Sequence, residues 1–401
     1  MKILMLSDLY HPIIGGGERH VRALSQRLTE MGHQVSVYTI GSRDLPKYEN
    51  DGGIQVSRME GFYQKIPFLF KDSMRKWHPP TSDWLITRQL RSAIEDTRPD
   101  IIHAHGRVLY SALPLRKSSG ISIVSTLHTY ALFCPKTDLM RGENICDRPF
   151  TTDCIPCGKE SYGLPKSLFA YIGTKMGREK LRSVDKFIAV SPFVREVYAR
   201  QLGLSDDDIV MIPNFYQPDT DERMERVPEM PSDFILFIGT FIPTKGVNVL
   251  IEAYRKLKTE TKLVLIGGKH PDYRYESRGN ILVFEDAPHG MVMQALHDCR
   301  FAVFPSIWPD PCPTVALEAM SQGNAVIASA VGGFKDMVQD GETGLVVPPG
   351  DQDALSEAIS RLLQEPALAS EMGEKGRDRF RQHYALDIVA PQIVEVYQAL
   401  T

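Results

Sequence analysis

The sequence predicts an α/β fold of two Rossmann-like, doubly wound domains. Its 401 residues exceed what a single hydrophobic core usually supports. An apolar run, Lys2–Ser7, precedes three glycines, an amphipathic helix and a second apolar run. The same alternation restarts at Phe234, after a polar, proline-containing stretch at 217–232. We therefore expect an N-terminal domain over residues 1–215 and a C-terminal domain over 216–401.

Each predicted strand is a short apolar run, and helical or glycine-containing segments separate the runs. In the first half the strands are Lys2–Ser7, Gln34–Ile40, Ile101–His105, Ile121–Thr126 and Lys186–Val190, with a helix over Glu18–Met31. In the second half they are Phe234–Ile238, Leu263–Ile266, Ile281–Phe284, Phe301–Phe304, Ala325–Ala328 and Gly344–Val347, with a helix over Val247–Leu257. Ligands of such sheets bind beyond the carboxyl ends of the strands, so we expect a site in the cleft between domains. The last helix is expected to return to the first domain.

Composition is typical of a soluble globular protein. Apolar residues make up 43% and charged residues 24%, and no stretch approaches the roughly 20 apolar residues of a membrane-spanning helix. The apolar run after Met1 is broken by Ser7 and Asp8 and lacks a small-residue cleavage site. The sequence therefore predicts a cytoplasmic protein.

The net charge of −4 is unevenly distributed along the chain. Up to Phe215 there are 29 basic and 23 acidic residues, and the remainder has 17 and 27, so the two parts carry +6 and −10. A basic N-terminal half favours contact with a polyanion or an anionic membrane, although solvated helix faces explain it equally well. The acidic C-terminal half argues against nucleic-acid binding.

The segment Trp308–Met320 has the strongest chemical signal in the chain. A loop enters a helix near Thr314 and Val315, where backbone N–H groups and the positive end of the helix dipole suit a diphosphate. Glu318 lies one turn later on the same face, where a carboxylate can accept hydrogen bonds from ribose hydroxyls. Asp310 would reach a sugar from the loop. An ordinary helix with one exposed acid is the alternative interpretation.

The spacing from Asp310 to Glu318 resembles the two-acid signature of the retaining glycosyltransferases with the GT-B fold, often called family four. The resemblance covers nearly the whole chain. The other matching pieces are Gly15-Gly16-Gly17-Glu18, His103-Ala104-His105, Thr126-Leu127-His128, Gly239 to Gly246, Gly267-Gly268, Gly332-Gly333 and Val347 to Asp351. Each piece is weak alone, but their order and spacing together are specific. The resemblance implies two Rossmann-like domains facing a cleft, with the acceptor bound by the first domain and the donor by the second.

The resemblance also implies a nucleotide diphosphate sugar as donor, linked to uridine or guanosine, and no catalytic metal. Lys245 is expected to contact the diphosphate, and Gly267 and Thr240 belong to the matching donor-binding loops. The chain departs from the family pattern at three places. Thr240 replaces the usual arginine, Asp310 replaces the usual glutamate, and Cys312-Pro313 replace a bulky residue and a glycine.

In the N-terminal half, Gly16 and Gly17 allow the backbone to approach a ligand closely, although a simple tight turn explains them too. His128 ends a strand at the expected cleft, where relatives place a histidine near the transferred sugar and the acceptor. His103 and His105 are interpreted as facing opposite sides of their strand, so a metal site shared by both is not expected, and both are interpreted as structural.

Four of the six cysteines fall within one insertion, residues 134–157. They are Cys134, Cys146, Cys154 and Cys157. The Cys154-x-x-Cys157 pair fits a metal knuckle, so a structural four-thiolate zinc site is one prediction. Free thiols or an oxidised pair are the alternatives.

Two basic segments rich in aromatic residues, Phe62–Trp77 and Lys166–Arg182, suit an anionic membrane surface. They indicate peripheral contact at the inner face of the cell membrane. Amphipathic helices packed on the domain explain them as well.

The predicted reaction is transfer of a hexose-type sugar to a glycan or lipid-linked saccharide, with retained anomeric configuration. In it, Lys245 and the helix entry at Thr314 neutralise the departing diphosphate, while Asp310 and His128 act on the sugar. The alternatives are a binding module of the same fold that has lost catalysis, and a phosphorylase or epimerase that uses the same cleft.

Overall fold

The computed structural model describes residues 1–13, 15–42, 45–66, 77–217, 224–225, 227–268, 270 and 273–401. The chain divides into two compact units. Unit 1 contains Met1–Asn214 together with Val389–Thr401, and unit 2 contains Phe215–Ile388. Each unit holds its own parallel sheet, so the predicted α/β fold of two Rossmann-like domains is confirmed.

Unit 1 is built on an eight-stranded sheet and a separate two-stranded hairpin. Its strands are β1 (Lys2–Ser7), β2 (Gln34–Ile40), β3 (Tyr48–Asp51), β4 (Ile54–Met59), β5 (Ile101–His105), β6 (Ser122–Leu127), β7 (Met140–Arg141), β8 (Asn144–Ile145), β9 (Lys186–Ala189) and β10 (Ile209–Met211). The large sheet has the order β10-β9-β6-β5-β1-β2-β4-β3, and β7 pairs with β8. All pairs in the large sheet are parallel except β3 with β4.

The helices of unit 1 connect these strands. They are α1 (Gly16–Glu30), α2 (Trp84–Thr97), α3 (Leu109–Ala112), α4 (Arg116–Ser119), α5 (Cys154–Tyr162), α6 (Leu164–Lys180) and α7 (Pro192–Leu202). Helix α1 buries Val21, Leu24 and Leu28, which recur at helical spacing. After it, Gly32 takes the left-handed conformation that glycine adopts without steric cost, and this ends the helix.

Unit 2 has a six-stranded, wholly parallel sheet. Its strands are β11 (Phe234–Ile238), β12 (Lys262–Gly267), β13 (Ile281–Glu285), β14 (Ala302–Phe304), β15 (Val326–Ser329) and β16 (Gly344–Val347). The order is β13-β12-β11-β14-β15-β16, which is the order of a dinucleotide-binding Rossmann sheet. The helices are α8 (Val247–Arg255), α9 (His289–Asp298), α10 (Thr314–Ser321), α11 (Phe334–Met337), α12 (Gln352–Gln364) and α13 (Pro366–His383).

The last helix, α14 (Leu386–Gln398), begins in unit 2 and continues into unit 1. Its Tyr397 is fully buried, and the Tyr397 hydroxyl lies 2.6 Å from Nδ1 of His103 on β5. The Ser122 hydroxyl donates a hydrogen bond of 3.0 Å to the Leu400 carbonyl. The end of the described chain therefore completes the core of unit 1.

Candidate functional site

The sheet of unit 2 reverses its strand order between β11 and β14, which are neighbours although two strands separate them in sequence. Chains that leave the sheet on either side of such a switch point diverge and open a crevice, where open α/β sheets bind ligands. The chain after β11 leads to Lys245, and the chain after β14 leads to Asp310. The topology therefore brings two predicted site residues together.

Lys245 and Asp310 form an ion pair in this crevice. The Lys245 ammonium lies 2.6 Å from Oδ2 of Asp310, and 22% and 13% of the two side chains are exposed. The same ammonium lies 4.6 Å from the centre of the Trp308 ring, within the range of a cation–π interaction. Lys245 is thus held between a carboxylate and an aromatic face while keeping some access to solvent.

The two loops are joined by backbone hydrogen bonds. The N–H groups of Ile307 and Trp308 both donate to the Thr244 carbonyl, at 2.9 and 3.0 Å. Gly246 has φ 75°, and a Cβ there would overlap the Pro305 carbonyl oxygen. Only glycine allows this close approach, so the Lys245-Gly246 motif fixes the lysine loop to the strand that precedes Asp310.

The backbone at Asp310 is supported by a second glycine pair. The Gly333 N–H donates to the Asp310 carbonyl at 2.7 Å. A Cβ on Gly332 would overlap the carbonyl oxygen of Asp310. A Cβ on Gly333 would come too close to the carbonyl oxygen of Pro311. These glycines therefore let the Asp310 loop pack against the chain that follows β15.

Helix α10 begins at Thr314, and Val315 follows in its first turn. The residue before it is Pro313, and no side chain caps this end of the helix. The N terminus of α10 is therefore able to receive an anion through backbone N–H groups and the helix dipole. Glu318, one turn along, is 4% exposed, and its Oε1 lies 3.8 Å from Nε2 of His289 on α9.

The remaining predicted donor residues are Thr240, which follows β11, and Gly267, which ends β12. A Cβ on Gly267 would overlap the Gly239 carbonyl oxygen and crowd the Phe241 ring, so glycine is required for these two loops to pack. Thr240 is exposed. Sequence reasoning missed Trp308 and His289, although Trp308 opens the segment that it singled out.

Unit 1 reverses its strand order between β1 and β5. Gly16 and Gly17 form the first turn of α1, which follows β1, and no side chain caps this end of the helix. A Cβ on Gly17 would have no described neighbour within 4 Å. Packing against the described residues therefore does not require glycine at position 17.

The prediction that His103 and His105 face opposite sides of their strand is wrong. Their ring centres lie 4.2 Å apart, because residues two positions apart in a strand point to the same face. Each ring nitrogen of His103 has a partner, the Tyr397 hydroxyl at 2.6 Å and the Thr126 hydroxyl at 2.7 Å. His105 instead points Nδ1 at Nε2 of His128, 2.9 Å away. His103 thus fits the structural role predicted for it, whereas His105 lies against a predicted site residue.

His128 follows β6 and lies against two other imidazoles, those of His20 and His105. Burial lowers its pKa to about 4, and the neighbouring Asn214 side chain opposes this shift. His20 on α1 lies against it, with ring centres 4.6 Å apart. Burial also brings the pKa of His20 and His105 well below the usual value. Sequence reasoning missed His20, which could have been found from its position in the first turns of the helix that follows the glycine loop.

The cysteine insertion does not form a metal cluster in this geometry. All four of its cysteines are free thiols. Within the residues that the structure describes, no three of these sulfur atoms lie within 4.8 Å of one another. The geometry therefore gives the structural zinc no support.

The two basic aromatic segments meet in unit 1. The Tyr63 ring lies 5.6 Å from the ring of Phe169 on α6. Residues 67–76, which include Phe68, Phe70, Lys71, Arg75 and Lys76 of the first segment, lie outside the described residues. Helix α6 buries small residues on one side, with Gly173 against Pro80.

The opposite side of α6 exposes a row of apolar residues. Its exposed large hydrophobic residues recur every four positions and form one stripe, the α6 stripe: Leu164, Leu168, Ile172 and Met176. Lys175 and Glu179 are exposed beside it. Across the described ranges, no helix combines the length and apolar character needed to cross a bilayer.

Comparison with known proteins identifies the family. Residues 14–220 match Glycosyltransferase Family 4, and residues 219–379 match Glycosyl transferases group 1. The chain therefore belongs to Glycosyltransferase Family 4, whose model matches more than half of its length. It is 27% identical to the glycogen synthase of Mycobacterium tuberculosis, over 100% of this chain and 95% of that protein. It is 25% identical to the phosphatidyl-myo-inositol mannosyltransferase of Mycobacterium leprae, over 100% and 97% of the two chains.

Solved structures show the same fold at lower identity. The sucrose-phosphate synthase of Thermosynechococcus elongatus matches with a TM-score of 0.74 and 22% identity, over 100% of this chain and 99% of that one. Anabaena HepE, solved in complex with UDP-glucose, matches with a TM-score of 0.70 and 16% identity over 100% of both chains. The GT-B fold that the sequence resemblance implied is confirmed.

Proposed function

We propose that this chain transfers a hexose-type sugar from a nucleotide diphosphate sugar to a glycan or lipid-linked saccharide, with retention of anomeric configuration. The observation that best supports it is the Lys245–Asp310 pair at the switch point of unit 2. A cation for a diphosphate and a carboxylate for sugar hydroxyls lie side by side there, in the crevice where such sheets bind ligands.

The diphosphate would bind between Lys245 and the N terminus of α10. Both supply positive charge, one from an ammonium and one from backbone N–H groups at Thr314 and Val315. Lys245 already pairs with Asp310, so the incoming diphosphate must compete with this carboxylate. The exchange would release Asp310 toward the hydroxyls of the sugar at the moment the diphosphate binds.

Glu318 would hold the ribose of the donor. It is almost fully buried one turn into α10, and a side chain at this position leans toward the N terminus of the helix, where the diphosphate would bind. His289 beside it would help to orient the carboxylate. Gly267 and Thr240 line the neighbouring loops and would admit the nucleotide. The HepE complex with UDP-glucose favours a uridine donor, and a guanosine donor is the second candidate.

In unit 1, His128 would contact the transferred sugar. The backbone of Gly16 and Gly17 would lie close to the ligand. Burial keeps the His128 imidazole neutral near pH 7, because its pKa falls to about 4. A neutral imidazole can donate or accept a hydrogen bond with a sugar hydroxyl but does not supply charge. The charge that stabilises the leaving diphosphate would therefore come from unit 2.

Retention requires the leaving phosphate oxygen and the incoming hydroxyl to lie on the same face of the sugar. The negative charge on the diphosphate grows as the bond to the anomeric carbon breaks. Lys245 and α10 would bind this charge more strongly in the transition state than in the ground state, which is what accelerates a reaction. Asp310 would hold the sugar in its reactive pose rather than attack it.

The acceptor side would rest on an anionic membrane surface through the α6 stripe. The stripe leaves four large apolar side chains in solvent, and Lys175 is exposed between Ile172 and Met176. Apolar residues beside a cation suit an anionic interface. The double variant Leu168→Ser, Ile172→Ser should lose sedimentation with anionic vesicles. Tyr48→Ser, which alters an exposed aromatic residue on β3, is the control, and equal binding to neutral vesicles would remove the membrane from the proposal.

The function is tested by a donor screen followed by product analysis. Sugars linked to UDP, GDP and ADP are tested by thermal shift, where a donor at 100 times its Kd adds about 2.7 kcal/mol. The best donor is then incubated with saccharide acceptors, and the anomeric configuration of the product is read by NMR. Transfer with retention supports the proposal. Binding without transfer or hydrolysis indicates a binding module, and a need for free phosphate indicates a phosphorylase.

A further inference from the structure

Three histidines from distant parts of the chain meet at the carboxyl end of the unit 1 sheet. His20 comes from α1, His105 from the end of β5, and His128 from the chain after β6. One ring nitrogen of each lies within 4.8 Å of those of the other two. Among the described residues this is the only group of three or more histidine, cysteine or acidic side chains with such spacing. We call it the imidazole cluster.

The spacing is close to that of a metal site. Imidazole nitrogens bind Zn²⁺ at about 2.0–2.1 Å, so two ligands of a tetrahedral ion lie about 3.3 Å apart. Nδ1 of His105 and Nε2 of His128 are 2.9 Å apart and share a hydrogen bond, which an ion would replace, and the rings are nearly parallel, at 18°. Small rotations of these side chains would open room for an ion between them and His20.

Neighbouring groups fix the orientation of the cluster. Nε2 of His105 lies 3.2 Å from the Met5 sulfur, and this contact holds Nδ1 toward His128. Asn214 lies beside His128. His103 is equally buried and points the same way, but the Tyr397 and Thr126 hydroxyls occupy its two nitrogens. Such outer contacts orient the ligands of metal sites.

We propose that the imidazole cluster binds one divalent transition-metal ion through His20, His105 and His128. Three neutral nitrogen ligands suit Zn²⁺, Co²⁺, Ni²⁺ or Cu²⁺, whereas Mg²⁺ and Ca²⁺ prefer oxygen ligands. Three protein ligands leave a fourth position for water or a ligand oxygen.

Binding of this ion would regulate the enzyme rather than serve its chemistry, and this consequence rests on the proposed function. The ion would take the lone pair of His128, which is then unable to contact the sugar. Zinc is therefore expected to inhibit transfer and a chelator to restore it. The donor site of unit 2 shares no residue with the cluster, so binding of UDP alone should not change.

The site is tested with CoCl₂ on the full chain after treatment with a chelator, in a Cys154→Ser, Cys157→Ser background that removes the Cys-x-x-Cys pair, the cysteines most suited to compete for the ion. One equivalent should bind and give visible absorption without the intense thiolate-to-cobalt band. His20→Gln and His105→Gln should each weaken cobalt binding by at least about 10-fold. His103→Gln, a buried histidine on the same strand face, is the matched control and should bind cobalt as the parent does.

Absence of bound cobalt in the parent background would overturn the site, and so would parental affinity in both His20→Gln and His105→Gln. In transfer assays, ZnCl₂ should inhibit His20→Gln less than it inhibits the parent. The ratio of the rates with and without ZnCl₂ should therefore be closer to one in this variant. If cobalt binds as expected but no donor is ever transferred, the metal site stands and the proposed function fails.

Discussion

The two units place different chemistry at the same topological position. In unit 2 the switch point between β11 and β14 carries opposite charges, with the Lys245 ammonium 2.6 Å from Asp310. In unit 1 the switch point between β1 and β5 carries buried imidazoles that are neutral at pH 7. The strand order therefore fixes where a ligand binds, and the loop residues decide what kind of ligand it is.

This difference has a physical basis in burial. The Lys245–Asp310 pair keeps part of its surface in solvent, which limits the cost of desolvating two charges. The histidines of unit 1 lie deeper, and desolvation suppresses their protonation. A charged site suits a diphosphate, whereas a neutral site suits hydroxyls or a metal ion.

The strongest test of the charged site is Lys245→Ala. Because the charge of the leaving diphosphate grows in the transition state, turnover should fall by about 10²–10³-fold, and donor affinity by much less. Initial rates and calorimetry measure the two effects. Lys256→Ala, which removes an exposed lysine paired with Asp353, should leave both unchanged. Asp310→Ala should still bind donor but transfer poorly, and near-wild-type turnover in both Lys245→Ala and Asp310→Ala would refute the site.

Gly246→Ala should disrupt the frame that holds Lys245. The added Cβ overlaps the Pro305 carbonyl oxygen, and the residue must keep a positive φ, so we expect a loss of about 3–5 kcal/mol in the free energy of unfolding. Urea unfolding measures the change. Gly279→Ala also has positive φ but meets no atom within 4 Å, so it should cost only about 1–2 kcal/mol. Equal losses in the two variants would show that the close approach to Pro305 does not matter.

The effect of burial on the histidines of unit 1 can be tested by the pH dependence of the free energy of unfolding. The residue to change is His78, which lies outside the imidazole cluster. Burial lowers the pKa of His78 to about 4. Between pH 6.5 and 4, His78 therefore binds more protons in the unfolded chain than in the folded one. The free energy of unfolding should fall as the pH falls through this window, by up to about 1.4 kcal/mol per pH unit.

His78→Gln should flatten this slope, because glutamine can bond with Ser111 and the Pro79 carbonyl without titrating. Urea unfolding at pH 7, 6, 5 and 4 gives the slopes. Replacement of the exposed His297 by glutamine is the control. A slope in His78→Gln that matches the parent would locate the acid sensitivity elsewhere.

The smallest expected effect is that of Glu318→Gln. The substitution keeps the side-chain volume but weakens hydrogen bonds to ribose, so donor affinity should fall by about 10-fold with little change in turnover. Calorimetry with the free nucleotide diphosphate and with the nucleoside monophosphate should show the same relative loss. A fall in turnover with unchanged affinity would move Glu318 from the ribose to the reacting sugar.

Much of this fold was predictable because it is encoded locally. Buried parallel strands such as β1 and β11 read as continuous apolar runs, and the glycines after them mark where the chain turns. The strands β3, β4 and β10 escaped prediction. With four and three residues, β3 and β10 contain too little periodicity, whereas β4 has six residues and its alternation was overlooked.

The candidate site was only partly predictable. Lys245, Asp310 and Glu318 were found through motif spacing, but the ion pair between the first two joins residues 65 positions apart and has no local signal. Side chains two residues apart in a strand lie on the same face, so the sequence could have predicted that His103 and His105 lie together. The prediction was wrong because this rule was misapplied. The position of His20 near the start of α1 was readable from the sequence, but its approach to His128 depends on how α1 packs on the sheet.

Helix α14 has a consequence for the order in which the protein is made. Because residues 389–401 belong to unit 1, the ribosome releases the last part of that unit only after all of unit 2 has emerged. Until then His103 lacks the Tyr397 hydroxyl, and the outer surface of β5 and β6 lacks a covering helix. Unit 2, which is continuous in sequence, can complete its own sheet first. A nascent chain would therefore hold a finished charged site before His103 gains its Tyr397 partner. Fragments that end before residue 389 should be prone to aggregate.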